Sequence, residues 1–470
     1  MAEFDLAVIG AGAAGLAITN VAARLGLKVA LIERGRMGGD CLNTGCVPSK
    51  ALLAAAHAAM AGRAAGRLGV RFAEPDISWD AVRAHVHGAI AAIAPNDSVE
   101  RYQSLGATVL KGQARFVAPD TLNVDGRHLT ARRIVIAAGS SAAVPPIPGL
   151  DQVPFLTNET LWDLAEKPAH LLILGGGPIG LEMAQAHAGL GCRVTIVEAA
   201  IIAGRDDPEL VAPLRTALLA QGIAIHEGVA VVTVEPGPTL VLANGAKIEG
   251  SHLLVAVGRR PNLADLDLEK GNVRVTKAGI ATDTGLRSLA NRRVFAAGDI
   301  ADPEGLGPRQ FTHVCSYHAG IIIRRAVFRL PARVSYAALP RVTYASPELA
   351  QTGLTEAEAR AAGLDVRVLR WELAENDRAI AEADKVGLIK LVTAKGKIIG
   401  AGIVGAHAGE MISQFTQAIE QRTKLSALAG LIVPYPTRAE IGKRAAGAAF
   451  TDALFSSRTQ WLVRLLARLP

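Results

Sequence analysis

One pattern occurs twice in this chain, and the repetition restricts the folds open to it more than any other feature. Residues 4–33 read as an apolar strand ending at Ile9, a turn Gly10-x-Gly12-x-x-Gly15, a helix, and a second strand KVALIE closing on Glu33. Residues 171–198 run the same way: LLIL, then Gly175-x-Gly177-x-x-Gly180, then RVTIVE closing on Glu198. Each acid follows its third glycine by eighteen residues, and the copies are offset by 165 positions. A strand, a tight glycine turn and a helix returning to a parallel strand make a βαβ unit, so the chain is expected to hold two dinucleotide sites. In each turn the first glycine permits the bend, the second lets the backbone approach a pyrophosphate, and the third lets helix and strand pack closely. The helix N-terminus adds N–H donors and positive dipole. Glu33 and Glu198 are each expected to accept a hydrogen bond from a ribose 2′-OH. At the second site Glu198 would repel a 2′-phosphate, and neither Ala199 nor Ala200 brings a cation, so NADH is expected in preference to NADPH.

A chain of 470 residues is too long for one core. Residues 1–150 hold the first unit, and the Pro-rich turn VPPIPG (144–149) reads as a crossing into a second unit, 151–270. LLVAVGRRPN (253–262) and RVFAAGDIAD (293–302) read as buried strands entering glycine turns, the latter within a central segment 271–340. From residue 341 the pattern becomes strands alternating with amphipathic helices, an α+β unit over 341–470. The net charge of +7 is modest, and no Lys/Arg block with interleaved aromatics points to a nucleic-acid partner. The N-terminus opens into a strand without a basic leader, and no apolar run reaches bilayer length, so a cytoplasmic protein is expected. The tail 458–470 reads as a short basic amphipathic helix, for which peripheral membrane contact is the less favoured of the open readings.

Four cysteines in 470 residues exclude a disulfide-stapled scaffold. Two of them lie close together in GGDCLNTGCVPSK (38–50), as Cys41 and Cys46, while Cys192 and Cys315 stand alone and read as packed thiols. Four intervening residues are too many for the compact CxxC turn, and no second Cys/His pair nearby completes a zinc site, so no metal site is expected. Placement at the start of an Ala-rich helix, with Lys50 following, would favour a thiolate.

This string, in this order with the two glycine turns, resembles the class I flavoprotein disulfide reductase family, also called the pyridine nucleotide-disulfide oxidoreductases, which includes dihydrolipoamide dehydrogenase and mercuric reductase. The likeness spans essentially the whole chain. It implies an α/β fold: two Rossmann-like dinucleotide-binding domains, the first for FAD and the second for NADH, plus a C-terminal α+β dimerisation domain. The segments 1–150 and 271–340 would together make the FAD-binding domain. The resemblance further implies a redox-active disulfide, with Cys46 next to the flavin and Cys41 as the outer thiol. Lys50 would pair with Glu182 of GPIGLE, and Asp299 of AAGDI would bind the FAD ribityl or pyrophosphate region. Ala114 would lie against the FAD adenosine, and Gly139 and Gly258 would close backbone turns against the two nucleotides.

Near the C-terminus the sequence departs from the family. Where relatives carry His-Pro-Thr…Glu, with the His as acid–base catalyst reaching into the partner subunit, this chain has VPYPTRAE (433–440). Glu440 is kept, but Tyr435 takes the His position. A phenol is a poor general base at neutral pH. His313, just after the GD motif, could serve the flavin or could simply pack. The expectation is a homodimer that moves electrons from NADH through flavin to the Cys41–Cys46 disulfide, and on to a small-molecule or protein disulfide. The alternatives are a metal-ion reductase resembling mercuric reductase and a slow redox-sensing flavoprotein.

Overall fold

The computed structural model describes residues 2–469 as a mixed α/β protein. The first βαβ repeat folds as read. Strands Phe4–Ile9 and Val29–Glu33 pair in parallel, joined by the helix Ala13–Arg24. Thr108–Lys111 extends the sheet on one side, and Arg127–Ile136 and Val294–Ala296 extend it on the other, all in parallel. Strand order therefore reverses across Phe4–Ile9, which opens a crevice at the carboxyl ends of these strands. The other end of Arg127–Ile136 runs into an antiparallel pairing with Thr121–Val124 and then Ala114–Ala118.

The second repeat builds a four-stranded parallel sheet in the order Ala224–Glu227, Arg193–Glu198, His170–Leu174, His252–Val255. Its central strand HLLIL is buried at all five positions, as a strand covered on both faces must be. A small antiparallel sheet, Val231–Glu249, lies beside it. The two nucleotide units are stitched by a short antiparallel pair, Ser140–Ala142 with Arg259–Pro261. Beyond residue 340, five antiparallel strands carry the helices Ala408–Glu420 and Glu440–Ala448 on a core that includes Ile389, Ile403, Phe415 and Ile441.

The Ala-rich helix starts at Cys46 itself and runs to Ala64. Pro48 falls in the first turn, where its missing N–H costs nothing. The helix packs across Pro178–Gly189 of the second unit through small residues: a side chain at Gly189 would meet Met60 Sδ at 3.0 Å and Ala56 Cβ at 3.1 Å. The alanines allow the two backbones to approach. That approach brings Lys50, on one helix, opposite Glu182 on the other.

Candidate active site

Both glycine turns are shaped for a group that approaches the backbone. Gly10 and Gly175 have φ of +102° and +111°, which favours glycine, and Cβ atoms there would strike the carbonyls of Ala137 and Ala256. Side chains at Gly15 and Gly180 would strike the carbonyls of Gly10 and Gly175, so helix and strand are in contact there. The middle glycines differ. Nothing lies within 4 Å of a side chain placed at Gly177, whereas one at Gly12 would sit 3.8 Å from Gly39 Cα. Glu33 accepts from Ala11 N at 2.6 Å and Gly35 N at 2.5 Å; Glu198 accepts from Gly176 N at 2.7 Å and Ala200 N at 2.8 Å. Both carboxylates are thus fixed at the mouths of their turns. Gly112 N donates to Glu33 O at 2.9 Å, which places the segment carrying the buried Ala114 beside the first acid. These cradles fit the dinucleotides expected of them.

The cysteines sit on separate helical segments, Cys41 in Gly39–Asn43 and Cys46 as the first residue of Cys46–Ala64, and they are present as free thiols. Cys46 is exposed and Cys41 half-buried. The thiol of Cys46 is drawn down to about 6, first by the hydrogen bond from Cys41. Thr312, whose Oγ1 lies 3.2 Å from Cys46 Sγ, and the charge of Lys50 act in the same direction against burial. Cys41, donating that bond, is pushed far up, and its own burial adds to the shift. The dithiol is therefore a thiolate at Cys46 beside a protonated Cys41.

Lys50 Nζ lies 2.7 Å from Glu182 Oε2 and 4.4 Å from the centre of the Tyr344 ring. Glu182 is 5% exposed, and its other oxygen accepts from Tyr344 N at 3.1 Å. The expected pair is brought together.

A polar network that sequence reasoning missed surrounds the redox loop. Arg259 Nε donates to Ser140 Oγ at 2.7 Å, and that hydroxyl donates to Asp299 Oδ2 at 2.6 Å. The same guanidinium reaches Asp40 Oδ1 at 3.3 Å, where Thr44 Oγ1 and Asn158 Nδ2 also donate at 2.9 Å each. Burial pushes the Asp299 carboxyl up, while Ser140 and Arg259 oppose it. The turn before Asp299 is propped by His318, fully buried, whose Nδ1 accepts from Gly298 N at 3.1 Å. Nε2 of His318 therefore carries the proton and faces Tyr336 OH at 2.8 Å, and burial takes this imidazole down to about 4. Gly139 and Gly258 face open space, and their carbonyls bond to Asn262 N at 3.0 Å and Ala143 N at 2.9 Å across the inter-unit strand pair.

His313 and Tyr435 each bond within the chain. His313 follows Thr312 in sequence and is exposed, with Nε2 3.0 Å from Pro340 O. Tyr435 donates from its OH to Asp377 Oδ2 at 2.9 Å, and that bond is the first cause that raises its phenol above the ordinary value. Among the described residues, no hydrogen bond joins Tyr435 or Glu440 to either cysteine of the same chain. Cys192 and Cys315 are buried thiols, raised to about 11 and about 12.

Residues 4–321 match the pyridine nucleotide-disulphide oxidoreductase model, and residues 339–446 match the dimerisation domain of the same name. The chain belongs to the pyridine nucleotide-disulphide oxidoreductase family and is an FAD- and NAD(P)H-binding oxidoreductase. It is 36% identical over 459 residues to a mercuric reductase of Streptomyces lividans, covering 94% of this chain and 95% of that protein. It is 33% identical over 467 residues to a dihydrolipoyl dehydrogenase of Geobacillus stearothermophilus, covering 94% and 96% respectively. Among solved structures it resembles the HOCl-induced flavoprotein disulfide reductase RclA from Escherichia coli, with a TM-score of 0.83 at 27% identity over 94% of this chain and 99% of that one. A Cu(II) complex of RclA gives the same TM-score of 0.83. The dimerisation-domain match supports a homodimer.

Proposed function

We propose that the chain is an NADH-dependent reductase whose Cys41–Cys46 dithiol delivers electrons to a thiophilic metal ion, without an acid–base side chain of the usual kind. One observation supports this above the others: the residue at 435 is a phenol bonded to Asp377 and raised above its ordinary value. Reducing a disulfide calls for a proton on the departing thiolate, and such a phenol is too weak an acid to give it readily. A soft metal ion binds the Cys46 thiolate, displaces the proton of Cys41 and needs no donor. Two thiolates suffice for an ion of low coordination number, and among the described residues no cluster of three or more His, Cys, Asp and Glu offers a larger set. The similarity to mercuric reductases points the same way.

The chemistry that FAD would supply when bound is acceptance of a hydride from NADH and passage of the electron pair to the cysteines. Gly10, Gly12, Gly15, Glu33, Ala114, Gly139 and Asp299 are the residues assigned to hold it, with Gly175, Gly177, Gly180, Glu198 and Gly258 holding NADH. Thr312 and Lys50 keep Cys46 ionised, Glu182 anchors Lys50, and Cys41 meets the acceptor. In the dimer, the Tyr435–Glu440 segment of one subunit is assigned to the partner's cysteine pair. A cytoplasmic setting suits a dithiol that NADH must regenerate. A disulfide acceptor is the second reading. The dihydrolipoyl dehydrogenase likeness favours it, and it requires a leaving thiol acidic enough to depart unprotonated.

The test is anaerobic NADH consumption by the holoenzyme with thiol-complexed Hg(II), lipoamide or glutathione disulfide. The metal complex should accelerate consumption, and Cys41→Ser should remove the acceleration. Faster turnover of lipoamide than of the metal complex would overturn the first reading in favour of the second. Two-electron reduction should also raise a long-wavelength absorbance that Cys46→Ser abolishes and that Cys41→Ser shows without reduction.

A further inference from the structure

The last part of the C-terminal unit carries an apolar face that none of the described residues covers. Helix Ser457–Leu466 is capped by the Ser456 hydroxyl, which accepts from Thr459 N at 3.3 Å, and none of its residues is buried. At about 100° per residue, Trp461, Leu462, Leu465 and Leu466 fall on one side. Leu469, whose N–H bonds to Leu466 O at 3.0 Å, continues that side. Trp461 is 66% exposed and Leu469 65%, and the preceding turn adds Leu454 and Phe455, also exposed. A helix of ten residues is marginal in water by itself and becomes stable when its apolar face is covered.

The charges indicate what covers it. From Ala453 onward the chain has Arg458, Arg464 and Arg468 and no Asp or Glu, so three of the seven net positive charges sit in this segment. Gln460, Arg464 and Arg468, four residues apart, form a polar line along the flank of the apolar face. Seating this face on a second copy would bring a basic segment against a protein that is itself basic. An anionic headgroup layer complements both the arginines and the leucines.

We propose that residues 454–469 dock the protein on the surface of an anionic bilayer, with Trp461 and the leucines in the acyl boundary and the arginines among the headgroups. It takes up the reading that the sequence left open as the less favoured one. No described helix is long and apolar enough to cross a membrane, so the contact is peripheral. The proposal is independent of which acceptor the cysteines reduce.

Sedimentation of the holoenzyme with vesicles tests it, using equal parts phosphatidylglycerol and phosphatidylcholine, and phosphatidylcholine alone. The wild type should bind the mixed vesicles at least about tenfold more tightly than the neutral ones. A chain ending at Ala453, the pair Trp461→Ser with Leu465→Ser, and the pair Arg464→Gln with Arg468→Gln should each lose roughly tenfold or more of that binding. FAD content and NADH oxidation should stay unchanged in all three. Emission should shift to the blue on binding, and the shift should vanish in Trp461→Phe. Binding that is equal on both vesicles, or unaffected by the truncation, would overturn the proposal. So would a truncated protein that falls apart into monomers while the wild type ignores lipid, an outcome that assigns the face to a second copy.

Discussion

The two nucleotide turns begin from the same sequence pattern and end in different surroundings. Over Gly177 there is open space, while Gly12 is roofed by the redox loop, and a side chain at Gly39 would come within 2.6 Å of Gly12 Cα. The open turn suits a cofactor that arrives and departs with each cycle. The roofed one suits a group that stays, because leaving would mean lifting the loop that carries Cys41. The fingerprint is shared by both units, and the cover over the second glycine is what distinguishes them.

The largest effect expected of this contrast comes from adding one methyl group on each side. Gly39→Ala combines a clash with Gly12 and a φ of +59° that disfavours alanine, so the purified protein should lose most of its FAD and its yellow colour. Gly177→Ala meets no protein atom and should keep its FAD, but should raise KM for NADH. Equal FAD loss in both variants would erase the distinction.

Next in size is the chemistry assigned to the partner's cysteine pair. Tyr435→His should raise activity on lipoamide by up to about 10²–10⁴-fold, the usual contribution of general acid–base catalysis, while lowering activity on the metal complex. If the wild type already reduces lipoamide well and the variant does not change it, proton transfer bypasses this position.

At the open turn, Glu198→Arg exchanges an acid for a cation where a 2′-phosphate would lie. It should shift the ratio of kcat/KM for NADPH over NADH by about tenfold or more, each tenfold being ~1.4 kcal/mol. Equal use of both nucleotides by the wild type would remove the basis for this prediction.

The smallest effect is a titration. Alkylation of the reduced protein should follow Cys46 with a midpoint near about 6, rising with pH because the thiolate is the reactive form. Thr312→Val removes a donor to that thiolate and should move the midpoint upward by about one pH unit. A midpoint that stays put would leave Cys41 and Lys50 as the groups that hold the charge.

Features with a period or a fixed spacing were legible from sequence. The glycine turns, the acids Glu33 and Glu198, and the buried strands all announce themselves within some thirty residues of chain. The Lys50–Glu182 pair, separated by 132 positions, was legible only through family resemblance. The network that joins Asp299 to Arg259, Asp40, Ser140 and Asn158 escaped notice because these four partners, unlike Asp299, sit in ordinary local contexts. Arg259 and Asp40 come together only when the inter-unit strand pair forms. Thr312 escaped for the same reason, lying 266 positions from the sulfur it touches. The bond from Tyr435 to Asp377 could not be foreseen either, since the two residues lie 58 positions apart and no motif links them.

The close crossing at Gly189 also bears on how the molecule comes off the ribosome. The helix that begins with Cys46 finds its packing surface only after Pro178–Gly189 has been synthesised, and the first sheet gains the strand Val294–Ala296 later still. Contacts this distant in sequence form slowly, and large proteins of this kind pass through partly built states. Until then the nascent chain presents an unshielded pair of thiols with no flavin pocket around them, so the sulfurs are open to oxidation well before the finished enzyme uses them.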